Sequence, residues 1–458
     1  MRKEIVDYFN SNRENMLKSI AELVSIPSVR SQAAEGKPFG EKPFEALEKG
    51  LEMAENFGFD VKNHDGYVGT ADMNGGETEL GILVHLDVVP AGEGWHTDPF
   101  TVVEKDGKIF GRGVSDDKGP AVAALYAMKA VKDLGFPLKK NCRLIMGTDE
   151  ECGSDDIRHY FETNPYPKYT FTPDAEFPVT NGEKGRFTKH FYAETDFSGC
   201  EKYIVSFTAG EAANAVPACA EAELAGVSRG EFESAVKFAA GTDAEFSFDG
   251  KTVVCTGTSA HASLPENGNN PITALIELLS HIDFDADCAR LVASLKKLFP
   301  HGKYNGEAFG VDMQDKLGKL TLTLDTVRFD GRHFDGCFDS RTPMIADEEN
   351  CGKVIADKLA ENGFEIEDTK MREAHYVDPD SPFVKALLDA YEEYSGDVGD
   401  CVSMGGGTYV HDIENGVAFG AISRGTVTNM HGADEFMPID DILTAAAIFA
   451  EVIIRICG

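Results

Sequence analysis

One nearly continuous apolar run, Leu80 to Val89 (LGILVHLDVV), limits what this chain can fold into more than any other segment. A strand with apolar residues on both faces must be covered on both faces, as in the parallel sheets of α/β proteins. Further apolar runs lie at Asn141–Gly147, Tyr169–Thr172 and Gly416–Ser423, and helical patterns at Pro120–Leu134 and Ile439 to about Ile456. The sequence therefore predicts an α/β fold, with a mostly parallel sheet flanked by helices.

The pattern changes between about Lys184 and Ala374. Here separate strands and helices with alternating periodicity follow one another, for example KTVVCTG and KLTLTLDTVRF. This arrangement favours a second, α+β domain inserted into the first. The predicted boundaries assign residues 1–183 and 375–458 to the first domain and residues 184–374 to the insert.

Charge and composition exclude several classes of partner. The 458 residues carry 78 acidic and 43 basic side chains, a formal net charge of −35, which repels nucleic acid and anionic lipid. A solvated acidic surface is the simplest explanation of that charge. The first 25 residues lack the apolar core of a signal peptide, and the ten cysteines form no CxxC pair. We therefore expect a cytoplasmic protein with reduced thiols that binds neither nucleic acid nor membranes.

Histidine and carboxylate side chains lie where the predicted strands end: His85 and Asp87, Asp116 and Asp117, Glu150 and Glu151, Asp174, and His431. Each has a plain explanation by itself, such as a structural histidine, a helix cap or a turn residue. Ligands of open α/β sheets bind outside the carboxyl ends of the strands. Two imidazoles and several carboxylates there predict a site for a pair of divalent ions, Zn²⁺ with Mn²⁺ as the alternative.

Spacing suggests separate tasks for neighbouring residues. If the strand is still extended, His85 and Asp87 share one face, so the aspartate can hold the imidazole tautomer. Adjacent Glu150 and Glu151 must point in different directions, which lets one bind metal while the other accepts a proton. Asp116, beside a helix N-terminus, is the candidate for the carboxylate that bridges two ions.

Seven motifs in order resemble one known family: HLDVVP (85–90), GRGVSDDKGP (111–120), TDEECGSDD (148–156), PDAEFP (173–178), GTSAHAS (257–263), GGGTY (405–409) and NMHGADE (429–435). The chain is similar to the co-catalytic zinc metallopeptidases that include carnosinase, aminoacylase and carboxypeptidase G. Within them it most resembles the bacterial dipeptidase V type, or Xaa-His dipeptidase, over essentially its whole length.

The resemblance implies a role for each matching residue. Metal ligands fall on His85, Asp116, Glu151, Asp174 and His431, the general base on Glu150, and the residue that orients the histidine on Asp87. In the insert, which corresponds to the family's lid, His261 matches the oxyanion-stabilising histidine, Asn214 a substrate contact and Arg341 the arginine that holds the substrate carboxylate. An ion pair with Asp339 is the alternative for Arg341, a turn residue for Asn214 and a surface histidine for His261. Gly406 and Thr408 of GGGTY would line the pocket.

The implied activity is metal-dependent hydrolysis of dipeptides or very short peptides with a free C-terminal carboxylate. A long lid would let the chain act as a monomer, with a homodimer as the alternative. Relatives of this type usually carry arginine where this chain has His411, which leaves substrate preference open. The other readings are an N-acyl-amino-acid deacylase of the aminoacylase or desuccinylase kind, a non-catalytic metal-binding protein, and an acidic cation buffer.

Overall fold

A computed structural model describes residues 1–458 as two compact units. The first unit comprises residues 1–182, 376–402 and 407–458, and the second comprises residues 183–375 and 403–406. The short segment 403–406, which sequence patterns left with the first domain, belongs to the second unit.

Ten helices occur along the chain. They are α1 (Lys3–Val24), α2 (Glu41–Asn56), α3 (Lys118–Asp133), α4 (Asp155–Phe161), α5 (Arg229–Phe238), α6 (Pro271–Leu279), α7 (Ala286–Leu298), α8 (Lys353–Glu361), α9 (Pro382–Ser395) and α10 (Ile439–Cys457). None of them has both the length and the apolar composition that crossing a membrane requires.

Twenty-six strands, many of them short, complete the architecture. They are β1 (Asp60–His64), β2 (Val68–Asp72), β3 (Thr78–His85), β4 (Val103–Lys105), β5 (Lys108–Phe110), β6 (Asn141–Gly147), β7 (Tyr169–Thr172), β8 (Ala175–Glu176), β9 (Val179–Glu183), β10 (Gly185–Glu194), β11 (Tyr203–Ala209), β12 (Ala215–Val216), β13 (Cys219–Ala225), β14 (Glu245–Phe248), β15 (Thr252–Thr256), β16 (Ala260–His261), β17 (Gln314–Asp315), β18 (Gly318–Lys319), β19 (Thr321–Phe329), β20 (His333–Thr342), β21 (Glu365–Ile366), β22 (His375–Tyr376), β23 (Cys401–Met404), β24 (Gly416–Ala418), β25 (Ala421–Ile422) and β26 (Phe436–Pro438).

The first unit is built on a twisted sheet in which strands follow the order β1-β2-β6-β3-β7-β24-β9. The four central strands, β6, β3, β7 and β24, are parallel, and the pairings toward both edges are antiparallel. Ile82 and Val84 of β3 enter the apolar cluster that holds α1, α3, α9 and α10, whereas Leu83 enters a second cluster with Tyr409. The central strand is therefore covered on both faces, and the predicted α/β class with a mostly parallel, helix-flanked sheet is confirmed.

Two predicted strands are shorter than their apolar runs. The run to Val89 leaves the sheet after His85, so β3 ends at the histidine. The run Gly416–Ser423 divides into β24 and β25 at Gly420, where φ is +74° and a Cβ would lie 2.3 Å from the Phe177 ring. Hydropathy alone does not mark such breaks, because the residues that leave the sheet stay buried.

The second unit contains an antiparallel sheet of eight strands in the order β14-β15-β13-β11-β19-β20-β10-β21. Helices α5 to α8 belong to this unit, and their apolar residues, among them Leu275 and Ile355, form one cluster with the sheet. A small separate ladder pairs β12 with β16. Buried and exposed residues alternate along β13, because only one face of the sheet packs on a core. This is the alternating pattern that the sequence predicted.

Candidate metal centre

Three neighbouring parallel strands bring three of the five predicted ligands to one edge of the sheet. His85 is the last residue of β3 and pairs with Gly147, the last residue of β6. A 3₁₀ turn at Glu150–Cys152 follows β6, and Asp174 follows β7. Because parallel strands share the direction of their carboxyl ends, these side chains converge.

The five predicted ligands form two groups that share one aspartate. His85 Nε2 lies 2.9 Å from Asp116 Oδ1 and 3.8 Å from Asp174 Oδ2. His431 Nε2 lies 2.9 Å from Asp116 Oδ2 and 3.3 Å from Glu151 Oε1. Asp116 thus presents one oxygen to each histidine, which is the arrangement that a bridging carboxylate between two ions requires. We call His85, Asp116 and Asp174 the first half-site and Asp116, Glu151 and His431 the second.

The electrostatics of these groups favour added positive charge. Hydrogen bonds to the carboxylates of Asp116 and Glu151 raise the pKa of His431 to about 10. Burial, and then the charge of Asp116, raise the pKa of Asp174 well above its usual range. Glu151 Oε1 is buried and faces His431 Nε2. Carboxylates crowded in this way repel one another unless cations lie between them, so the residues fit a pair of divalent ions.

Glu150 and Glu151 differ in their surroundings although they are adjacent. The Glu151 side chain faces His431, whereas the Glu150 carboxylate makes no hydrogen bond or ion pair. Burial raises the pKa of Glu150 to about 8, with the His85 charge acting against it and the Glu151 charge adding to it. A carboxylate with a raised pKa and no partner of its own has the properties of a general base.

Asp87 holds the turn Glu150–Cys152, a contact that its spacing from His85 did not indicate. Its two carboxylate oxygens accept hydrogen bonds from the backbone N–H groups of Glu150 and Glu151, both at 3.2 Å. His85 Nδ1 lies 3.1 Å from the backbone oxygen of Asp87 and 3.4 Å from its carboxylate. The residue therefore orients the imidazole mainly through its main chain, while its side chain fixes the two glutamates.

Helix capping does not explain the Asp116-Asp117 pair. Asp117 occupies the N-cap position of α3, but its side chain makes no capping hydrogen bond. Instead Asp117 Oδ2 accepts a hydrogen bond from the backbone N–H of His85 at 3.1 Å. Both aspartates thus contact His85, Asp116 at the imidazole and Asp117 at the backbone N–H.

Tyr409 and Asp156 are supporting residues that the sequence analysis did not single out. The buried Tyr409 hydroxyl donates a short hydrogen bond to Asp156, and its ring meets that of His85 edge-on at 6.1 Å. Asp156 also accepts hydrogen bonds from the backbone N–H groups of Thr148 and Asp149, just before Glu150. Both residues lie within recognised motifs, but a motif does not say which of its residues contact one another.

His261 and Asn214 lie close together in the second unit. In the small ladder His261 pairs with Ala215, and the Ala262 N–H donates to the Asn214 carbonyl oxygen at 3.0 Å. The Ser263 backbone N–H lies 3.1 Å from His261 Nδ1, and its hydroxyl lies 2.7 Å away. A backbone N–H can only donate, so Nδ1 is the acceptor and a neutral ring carries its proton on Nε2. That tautomer makes Nε2 a donor.

Arg341 is buried in the second unit and makes the ion pair considered as its alternative role. Its Nε and Nη2 donate to the Asp339 carboxylate at 2.6 and 3.3 Å, and its Nη1 donates to the Gly405 carbonyl oxygen at 2.8 Å. The arginine thus holds the chain next to Gly406. Thr408, in the first unit, begins the turn Tyr409–Asp412 and accepts from the Val410 N–H through its hydroxyl.

Comparison with known proteins assigns the chain to a family. Residues 81–455 match the model of Peptidase family M20/M25/M40. Putative dipeptidase YtjP of Bacillus subtilis is 36% identical over 453 residues, covering 96% of this chain and 97% of the relative. Beta-Ala-Xaa dipeptidase of Lactobacillus delbrueckii is 35% identical, covering 97% and 96%.

Solved structures show the same fold. Human carnosine dipeptidase 1 superposes with a TM-score of 0.62 at 17% identity, covering 99% of this chain and 98% of that one. The resemblance drawn from the seven motifs is confirmed: the chain belongs to Peptidase family M20/M25/M40, as a metallopeptidase of the dinuclear class.

Proposed function

We propose that the protein hydrolyses the amide bond of dipeptides or very short peptides that have a free C-terminal carboxylate. The observation that carries this proposal is the pair of half-sites sharing Asp116, with the unpartnered carboxylate of Glu150 beside them. Relatives named as dipeptidases, alike over nearly the whole chain, support the choice of substrate.

Two divalent ions, Zn²⁺ with Mn²⁺ as the alternative, fit the half-sites. His85 and Asp174 would hold one ion, Glu151 and His431 the other, and Asp116 both. When bound, such ions supply Lewis-acid polarisation and a water of lowered pKa. The chain's own contribution would be to hold the five ligand side chains close together, with His85, Asp116, Asp174 and Glu151 largely buried and His431 half exposed.

Glu150 is the proposed general base. It accepts a proton from the attacking water and transfers it to the nitrogen of the leaving amine. Asp87 holds the backbone of Glu150 and Glu151, so the base keeps a fixed position next to the ligand that follows it. Positioned general bases contribute about 10²- to 10⁴-fold to rate.

Most of the proposed substrate contacts belong to the second unit, and Thr408 belongs to the first. His261 donates from Nε2 to the oxygen that becomes negative when the carbonyl is attacked, which its tautomer supports. Arg341, held by Asp339, binds the C-terminal carboxylate of the peptide. Asn214, Gly406 and Thr408 are proposed to contact the substrate as well. The lid role of residues 184–374, the monomeric state and the cytoplasmic location stay predictions.

The test is hydrolysis of a small dipeptide panel, including β-Ala-His, by metal-stripped protein refilled with Zn²⁺ or Mn²⁺. N-acetylated dipeptides and tripeptides serve as substrate controls, and Glu150→Ala serves as the blank. We expect metal-dependent cleavage of free dipeptides that the blank lacks. Faster turnover of N-acetylated substrates would identify a deacylase, and no turnover with metal bound would leave a metal-binding protein without this activity.

A further inference from the structure

A buried ion pair lies next to the second half-site and is not part of it. Arg112 Nη1 donates to Glu435 Oε2 at 2.6 Å, and both side chains are at most 1% exposed. Replacing a buried ion pair by apolar residues is often neutral or stabilising, so burial alone does not explain why charges lie here. The other hydrogen bonds of the two side chains show what the pair holds.

Glu435 holds the segment that leads into Asp116. Its Oε1 accepts from the backbone N–H groups of Gly113 and Ser115, both at 3.0 Å, and from the Ser115 hydroxyl at 2.9 Å. Asp116 follows Ser115 directly. Three donors on one oxygen fix this loop immediately before the shared ligand.

Arg112 holds the loop that carries His431. Its Nη2 donates to the carbonyl oxygen of His431 at 3.2 Å and also reaches the carbonyl oxygens of Ala91, at 3.2 Å, and Pro90, at 3.4 Å. The φ angle of His431 is +62°, in the left-handed region. For a residue other than glycine this conformation is strained, and it persists only where surrounding contacts fix it.

We propose that Arg112 and Glu435 are a positioning pair that builds the second half-site. The inference rests on the proposed two-ion site and deepens it. The pair ties the approach to Asp116 to the main chain of His431, so it sets how far apart these two ligands lie. The first half-site depends on the pair only through Asp116, because its other two ligands, His85 and Asp174, are placed by the ends of β3 and β7.

The only tryptophan of the chain provides an optical signal at this point. The Arg112 guanidinium carbon lies 5.3 Å from the centre of the Trp95 ring, and Trp95 Nε1 donates to the Ala91 carbonyl oxygen at 2.7 Å. Arg112 also binds that carbonyl oxygen. Displacement of the guanidinium therefore changes the surroundings of the indole, and the tryptophan emission reports it without any substrate.

Glu435→Gln separates the hydrogen bonds of Glu435 to the segment before Asp116 from its ion pair with Arg112. The amide oxygen can keep the hydrogen bonds to the segment before Asp116, while the amide nitrogen faces the Arg112 donors and cannot accept from them. The variant is made in two backgrounds, Asp174→Asn, which leaves the second half-site, and His431→Ala, which leaves the first. Zn²⁺ affinity is measured by competition with a chromophoric chelator, in parallel with Trp95 emission.

We expect Glu435→Gln to weaken Zn²⁺ binding about 10- to 100-fold in the Asp174→Asn background, the range for residues that orient metal ligands. In the His431→Ala background the change should stay below about threefold, a level expected when no shared contact is lost. The Trp95 emission should shift in both backgrounds. Equal losses in the two backgrounds, or none in the first, would overturn the positioning role.

Two further variants keep the test decisive. Asp72→Asn removes a carboxylate from the Arg143 pair, at 2.8 Å and remote from the half-sites, and should leave both affinities unchanged. Arg112→Lys keeps the charge but not the fork, and should reproduce the selective loss if Glu435→Gln does not fold. Wild-type protein that binds fewer than two ions would overturn the proposed function itself. Two ions with an unaffected second half-site would overturn this inference alone.

Discussion

The two half-sites share a carboxylate but are held in different ways. The first is attached to the sheet: His85 ends a strand and its side chain is 1% exposed, and Asp174 follows the next strand. The second depends on turns and loops, and the His431 side chain is 54% exposed on a left-handed backbone. Ligands at strand ends inherit their positions from the sheet, whereas ligands on loops need side chains whose task is to hold the main chain.

The largest effect is expected for the adjacent glutamates, of which Glu150 is the proposed base and Glu151 a proposed metal ligand. Glu150→Gln should lower kcat about 10³-fold or more while the protein still binds two ions, since it removes the base and no ligand. Glu151→Gln, the matched neighbour, should lose one ion. The measurements are steady-state kinetics and metal content after dialysis. Loss of an ion from Glu150→Gln would contradict the division.

A smaller effect compares how much each histidine contributes to the folded state without metal. His85→Ala should lower the free energy of unfolding by about 2–4 kcal/mol, because it leaves a cavity and buried carboxylates without their partner. His431→Ala should lower it by less, about 1–2 kcal/mol, since half of that side chain is in solvent although its Nε2 contacts two buried carboxylates. Urea unfolding in the presence of a chelator measures both. Equal losses of unfolding free energy in the two variants would contradict the proposed difference between the half-sites.

The smallest effect concerns a second contact of the His431 loop. His96 Nδ1 lies 2.5 Å from Asp434 Oδ2, but the His96 side chain is largely in solvent. Exposed pairs contribute little to stability, so His96→Ala should weaken Zn²⁺ binding at the second half-site by less than about fivefold. The same chelator competition measures it. A loss as large as that expected for Glu435→Gln would show that the surface contact, and not the buried pair, holds the loop.

The sequence predicted the part of the site that periodicity and strand ends determine. The apolar runs around His85 and Asp174 located the sheet, and the shared edge explained why their side chains meet. Its place beside a helix N-terminus made Asp116 the candidate for a bridging carboxylate, a role that stays a prediction although its two oxygens each face one histidine. The end of β3 at His85 and the break at Gly420 were not predictable from hydropathy, because the residues beyond them are as buried as those within.

Contacts between distant motifs could not be read from the chain. Nothing in GRGVS indicates that Arg112 binds Glu435, 323 residues later. The turn with Glu150 likewise depends on Tyr409 through Asp156, and these contacts depend on the tertiary arrangement of loops. For Arg341 the residue type alone does not choose between partners, because a substrate carboxylate and Asp339 both suit its guanidinium.

Asp87 couples ion affinity to proton transfer, two properties that a protein engineer would want to vary independently. Its main chain contacts the imidazole of one proposed ligand, while its carboxylate holds the backbone of the proposed base and of another proposed ligand. Any replacement would disturb ion affinity and proton transfer together, so directed evolution of either trait has no separate route through this position. Altered metal preference is more accessible through the loop of His431, which can be changed without touching the base.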